Sequence, residues 1–252
     1  MIKTLTKMSI TKHIPNAITC LNILSGCVAS LLAIEGYLFP AALLIILAAV
    51  FDFMDGLFAR LLGAYSEMGK ELDSLADMLS FGFAPATIAF SYLRFAVLGD
   101  SGAAFTPETL SYSQIAILLS AFIISIFSGL RLAKFNVDTR QTSSFIGVPT
   151  PANAMFWASL PIILHFGDYP MIEGFLANQW LILAAILITS FLLVSEIPMF
   201  ALKVKSLKWR ENQIRYLFLI TLVVLAILLK WLVIPLILFV YIFFSLIDNL
   251  KK

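Results

Sequence analysis

Between Asp52 and Asp77 the sequence DFMDGLFARLLGAYSEMGKELDSLAD places four aspartates in two pairs, Asp52 with Asp55 and Asp73 with Asp77. Residues three or four apart share one face of an α-helix, so each pair presents its carboxylates together. Grouped carboxylates do two kinds of chemistry: they hold hard cations through oxygen, and they move protons. Gly56 and Ala59 leave the helix bare beside Asp55, and Gly69 clears the surface one turn before Asp73. Arg60 adds a guanidinium, whose planar fork suits phosphate. Acid pairs, bare backbone and a guanidinium together describe a site for a metal-bound diphosphate.

The elements that must carry this site are apolar. Of 252 residues, 61% are hydrophobic and 13% charged, with a mean hydropathy of +0.97. Soluble domains average about 45–50% apolar and about 25% charged, which excludes an ordinary soluble enzyme. Apolar runs long enough to cross a hydrocarbon core recur along the whole chain. The expected fold is therefore an all-α integral membrane protein with eight transmembrane helices, at about 15–35, 38–62, 71–95, 113–133, 150–167, 177–200, 213–230 and 231–249. The last two meet at Lys230-Trp231, a tight re-entry. Residues 15–252 form one polytopic catalytic domain, and residues 1–14, MIKTLTKMSITKHI, form a basic segment suited to an anionic membrane surface.

Charge orients the chain. Of the seventeen lysines and arginines, fifteen fall on one side of this layout and only Arg94 and Lys230 on the other. That asymmetry puts both termini and the aspartates on the cytoplasmic side of the cell (inner or plasma) membrane. The first apolar run is too long for a cleaved leader, and the sequence never turns soluble after it. Cys20 and Cys27 lie in one helix and make no disulfide framework. The basic loop KVKSLKWRENQIR follows from the same topology, and no nucleic-acid partner is expected.

In this layout the four carboxylates converge near the cytoplasmic boundary. Asp52 and Asp55 end the second span, and Asp73 and Asp77 open the third after a short connection. An aspartate at the centre of a span costs about 2.5–3.5 kcal/mol, and four together also repel. Protonation or cations must offset this, since Arg60 and Lys70 are the nearest basic residues in sequence. Two divalent cations, Mg²⁺ or Mn²⁺, suit converging oxygen ligands. Intramembrane acids also mark ion or proton pathways. A transporter, however, would string them across the bilayer, whereas these gather at one end and Glu196 stands isolated.

The spacing D-x-x-D-G-x-x-A-R, eight residues, then G-x-x-x-D-x-x-x-D resembles the signature of the CDP-alcohol phosphatidyltransferases at every position: Asp52, Asp55, Gly56, Ala59, Arg60, Gly69, Asp73 and Asp77. The resemblance implies a helical membrane fold, commonly dimeric, in which a CDP-linked lipid gives its phosphatidyl group to an alcohol and releases CMP. It implies that Asp52, Asp55 and Asp73 ligate a metal pair, with Asp77 as a further ligand, the general base, or both. Asp52, Asp55, Gly56, Ala59, Arg60 and Gly69 would line the CDP pocket. PNAITCLN, with Pro15, Asn16, Thr19 and Asn22, resembles the segment opening the first span of that family, which implies a cytidine contact by Asn16 and Thr19.

The acceptor is read from SGLRLAKFNVDTRQTSSFIGVPTPANA. By residue type, Arg131 and Lys134 could be anchors at the membrane edge or ligands for an acceptor's carboxylate. The pattern S-G-x-x-R-L-A-K-F-N, then F-x-G-x-P-x-P-A, resembles the phosphatidylserine synthases of the family, as does SFGFAPA directly after Asp77. This implies L-serine as the acceptor, bound by Arg131, Lys134 and Asn136, with CDP-diacylglycerol as the donor. It implies a homodimer surrounded by membrane lipid. Sibling enzymes of the family use glycerol 3-phosphate or inositol phosphate, and they remain the alternative.

Overall fold

The computed structural model describes residues 13–100, 105–138, 145–200 and 209–250. The basic segment 1–14 falls almost wholly outside the described residues, as does much of the basic loop after residue 200. Among the described residues, all regular structure is helical except one two-residue bridge.

Helix α1, Ile14–Ile34, carries a proline in its first turn, where a missing N–H costs nothing. Gly36, at φ 87°, reverses the chain into α2, Leu38–Leu62. Ala29, Ala33, Ala41, Ala42 and Ala48 are fully buried. Side chains this small let membrane helices approach closely. The opposite faces show Leu24, Leu31, Leu47 and Phe53 to the surroundings, together with Cys20 and Cys27, which are unbridged.

Gly63, at φ 59°, ends α2 in the left-handed conformation that glycine takes without penalty. Three residues later Ser66 caps α3, Glu67–Asp77, by accepting a hydrogen bond from the Gly69 amide at 2.9 Å. Beyond Asp77 the helix widens into a π-helical turn, Met78–Phe83, and then runs on as α4, Ala84–Leu98. Residues 84–94 are buried on every side. A helix apolar all round belongs at the centre of a bundle.

Helix α5, Tyr112–Leu119, leads through a 3-10 turn into α6, Ile123–Val137. Helix α7, Thr150–Phe166, buries Trp157 and Ile163 completely. Helices α8, Pro170–Leu176, and α9, Gln179–Val194, meet at 86°. Last come α10, Trp209–Leu229, and α11, Val233–Leu250. Five helical stretches are long and apolar enough to cross a membrane, or six if the bent α8–α9 pair counts as one crossing. The chain is a multi-pass membrane protein.

The eight spans of the sequence reading do not all reappear. Helix α7 has 17 residues and is not among these five or six stretches. Residues Asn212–Leu250 count as one apolar stretch of 39 residues. That stretch is folded: Lys230, at φ 52°, turns the chain so that the rings of Phe218 and Phe244 lie 6.0 Å apart. The expected span 177–200 stops at Val194, and Pro198 lies in an extended segment, as expected for a residue that cannot continue a helix. Glu196 is therefore not inside a span, and it is not isolated, because it is ion-paired with Lys134.

Phe145–Ile146 pairs antiparallel with Pro198–Met199. Beside this bridge the Gly147 amide donates to the Ile197 carbonyl at 2.8 Å, and the Val148 amide to the Leu192 carbonyl at 3.0 Å. The second bond satisfies a carbonyl that the end of α9 leaves open. Gly147 sits at φ 77°, and a Cβ there would lie 2.5 Å from the Leu193 carbonyl oxygen. That is the physical reason for glycine in F-x-G-x-P.

Candidate active site

Helix α2 carries Asp52 and Asp55 on its last turns, and the short Gly63–Ser66 connection brings α3 back beside them. Asp52, Asp55 and Asp73 each offer a carboxylate oxygen, and these atoms all lie within 4.8 Å of one another. Asp55 is buried, and the other two are half-buried. Asp77 stands one turn further along α3, outside that trio but close enough to interact with all three charges and with Arg131. One carboxyl oxygen of Asp77, Oδ1, is buried with no partner among the described residues.

The site can be tested for its fit to a cation. Its donors are all hard oxygens, and among the described residues no lysine or arginine is ion-paired with Asp52, Asp55 or Asp73. Carboxylates this close repel unless a proton or a cation lies between them. The donor set fits Mg²⁺ or Mn²⁺.

Thr19 stands against the cluster, its hydroxyl within reach of Asp55 Oδ2 at 2.7 Å and of the Pro15 carbonyl at 3.0 Å. The sequence pattern anticipated a nucleotide contact there; the structure gives Thr19 an aspartate to hold. Asn16 lies against Gly69, where a Cβ would come within 3.0 Å of Asn16 Oδ1 and 2.9 Å of Ser66 Oγ. Between these groups opens a cavity of about 220 Å³, walled by Asn16, Thr19, Asp55, Gly56, Ala59 and Gly69. The Arg60 guanidinium folds back over Gly56, 3.7 Å from where a Cβ would sit. Ser66, Tyr65 and Lys70 also border the cavity. They were missed as site residues because they belong to the connection and the first turn of α3, whose shape becomes evident only once the Gly63 and Ser66 caps are seen.

A Gly69→Ala change should raise the KM for a CDP-linked lipid severalfold while the protein still inserts in the membrane. The added methyl has to displace the Ser66 cap or the Asn16 amide, and a lost cap costs about 1 kcal/mol. Donor kinetics on the purified variant check this, and an unchanged KM would remove Asn16 and Gly69 from the donor pocket.

On the other side of Asp77, Arg131 is buried, donates from Nε to the Val148 carbonyl at 3.1 Å, and lies over the Phe135 ring at 5.1 Å. Asn136 donates to Ser74 Oγ at 3.0 Å and so ties α6 to α3 beside Asp73. Lys134 points instead to Glu196. Of the three residues singled out for the acceptor, the structure sets Arg131 beside Asp77, Asn136 on the neighbouring turn and Lys134 in an ion pair.

The sequence profile of the CDP-alcohol phosphatidyltransferases matches residues 12–192, which include all four aspartates of the site. The chain belongs to the CDP-alcohol phosphatidyltransferase family. Curated relatives within the family include three proteins named CDP-diacylglycerol–serine O-phosphatidyltransferase. One from Mycobacterium leprae is 34% identical over 194 residues, 74% of this chain and 57% of its own length. One from Helicobacter pylori strain 26695 is 32% identical over 216 residues, 84% and 79% of the two chains. One from Bacillus subtilis is 37% identical over 161 residues, 60% and 82%. The match thus spans a little over half of the mycobacterial relative and about four fifths of the other two. Helices α10 and α11 lie beyond the family region.

Proposed function

We propose that this chain transfers the phosphatidyl group from CDP-diacylglycerol to L-serine, giving phosphatidylserine and CMP. The observation that carries this reading is the trio of carboxylates beside a bare-walled cavity, with Asp77 one turn further along α3 and close enough to interact with the buried Arg131. The names of the three relatives point to the same reaction. Asp52, Asp55 and Asp73, with Asp77, would hold a pair of Mg²⁺ or Mn²⁺ ions, which when bound neutralise the diphosphate and the developing charge on CMP. Asn16, Thr19, Gly56, Ala59, Arg60 and Gly69 bind the CDP half. Arg131, Lys134 and Asn136 serve the acceptor.

The serine hydroxyl gives its proton to Asp77 as its oxygen attacks the lipid-side phosphorus. The bond from that phosphorus to the bridging oxygen breaks, and CMP leaves. A hydroxyl is a weak nucleophile at neutral pH, so a base held against it and a fixed approach both matter. The fuller architecture we propose is one catalytic domain over 15–252, with eight crossings and both termini cytoplasmic. The site then opens to the cytoplasm from the plasma membrane, in a homodimer as in the family. The folded-back α10–α11 pair supports two of these crossings.

Purified protein given CDP-diacylglycerol should release CMP with serine and not with glycerol 3-phosphate or inositol phosphate. Release driven by glycerol 3-phosphate would keep the reaction class and move the chain to a sibling enzyme. Asp77→Asn should lose turnover far more than it loses donor binding, because the trio that grips the diphosphate stays intact. If nucleotide affinity falls as far as the rate, Asp77 is chiefly a ligand and the base is another group.

A further inference from the structure

Two buried side-chain amides have no hydrogen-bond partner among the described residues. Asn22 and Asn153 are both fully buried, and neither the amide oxygen nor the amide nitrogen of either finds a hydrogen bond among the described residues. Buried polar groups are nearly always paired, so four orphaned atoms on two side chains require an explanation. Their placement supplies one. Helix α1 and helix α7 both pack against the π turn that begins one residue after Asp77. Asn22 lies one turn beyond Thr19, which bonds Asp55, and its carbonyl accepts from Ser80 of the π turn at 2.9 Å. Asn153 lies in the first turn of α7, five residues after Val148, whose carbonyl holds Arg131. Side chains on a helix lean toward its N-terminus. Both amides therefore lean toward the end of the bundle that holds Asp77 and Arg131.

We infer that Asn22 and Asn153 are the polar floor of the acceptor pocket and select a small zwitterionic amino alcohol. This rests on the proposed reaction and names part of its second substrate site. An amide offers a donor and an acceptor side by side with no net charge. A zwitterion needs that pair, its carboxylate taking the N–H and its ammonium giving to the C=O, with Arg131 adding a cation. An acceptor with a dianionic phosphate and no ammonium gives the amide oxygens nothing to accept from, and a site whose polar groups go unpaired rejects the wrong ligand strongly.

The test uses the purified full chain and its Asn22→Leu and Asn153→Leu variants, leucine keeping the shape and removing the polarity. Wild-type CMP release with serine is measured first, and its absence would refute the proposed reaction, not this assignment. Given that activity, each variant should raise the serine KM by about tenfold or more, the scale for losing hydrogen bonds to a charged group. Its KM for CDP-diacylglycerol should stay within about twofold of wild type, since the donor pocket is untouched. Serine should raise the melting temperature of the wild type and no longer that of the variants. If a leucine variant does not fold, Asn22→Ser and Asn153→Ser carry the same expectations with a shorter polar group. A wild-type serine KM, or a retained thermal response to serine, overturns the assignment and leaves the amides as structural groups.

Discussion

Asp52→Asn and Asp73→Asn should each abolish CMP release while the protein still inserts and purifies as a folded species. Each change keeps the side-chain volume and removes one charge from a trio of oxygens lying within 4.8 Å of one another. Loss of even an outer partner of a metal site costs roughly 10- to 100-fold in affinity or activity, so loss of a ligand should exceed about a hundredfold. A second readout keeps the result from resting on turnover alone. Mn²⁺ binding followed by its paramagnetic signal should be present in wild type and weakened in both variants. Wild-type turnover from either variant after treatment with a chelator would end the metal assignment.

Arg131→Ala should raise the serine KM by more than tenfold and leave the KM for CDP-diacylglycerol nearly unchanged. Removing one partner from a sheltered charge pair costs roughly 2–5 kcal/mol, and the low end of that range already exceeds tenfold. Arg131 is buried, held at Nε by Val148 and backed by Phe135, so its fork is fixed before a substrate arrives. Lys134→Ala should do much less. Its ammonium cannot grip a carboxylate with two parallel bonds, and it is already paired with Glu196. Serine kinetics of the two variants, run side by side, decide the matter. Equal serine KM values in Arg131→Ala and wild type would return Arg131 to the set of membrane-edge anchors.

The carboxylate cluster was legible because its residues are local. The pairs at three and four residues, with glycines beside them, fix a face of each helix, and a short connection forces the two helices together. Arg131 was singled out only through resemblance. Arg131 meets Asp77 across 54 positions of sequence, and nothing in the spacing of either reveals it. Glu196 looked isolated because it was placed inside a span; the helix ends at Val194, and the acid pairs with Lys134. The last pair of spans was read from Lys230-Trp231, and the positive φ at Lys230 makes the reversal. Asn22 was noticed as part of a motif, yet the lack of a partner for its side-chain amide among the described residues is a property of packing that no one-dimensional pattern contains.

The connection from Gly63 to Ser66 has a consequence for how the protein is made. A nascent chain emerges from its N-terminus, and every aspartate of the cluster lies on two helices separated by four residues. A chain halted just after Leu98 already contains the whole carboxylate trio, Asp77 and the Thr19 that faces Asp55, while Arg131 is still unsynthesised. The four aspartates are therefore made before Arg131 exists. During that interval their mutual repulsion must be met by protons or by ions drawn from solution, and not by the arginine that later stands beside Asp77. The order of synthesis thus assembles the carboxylate cluster before Arg131 can join it.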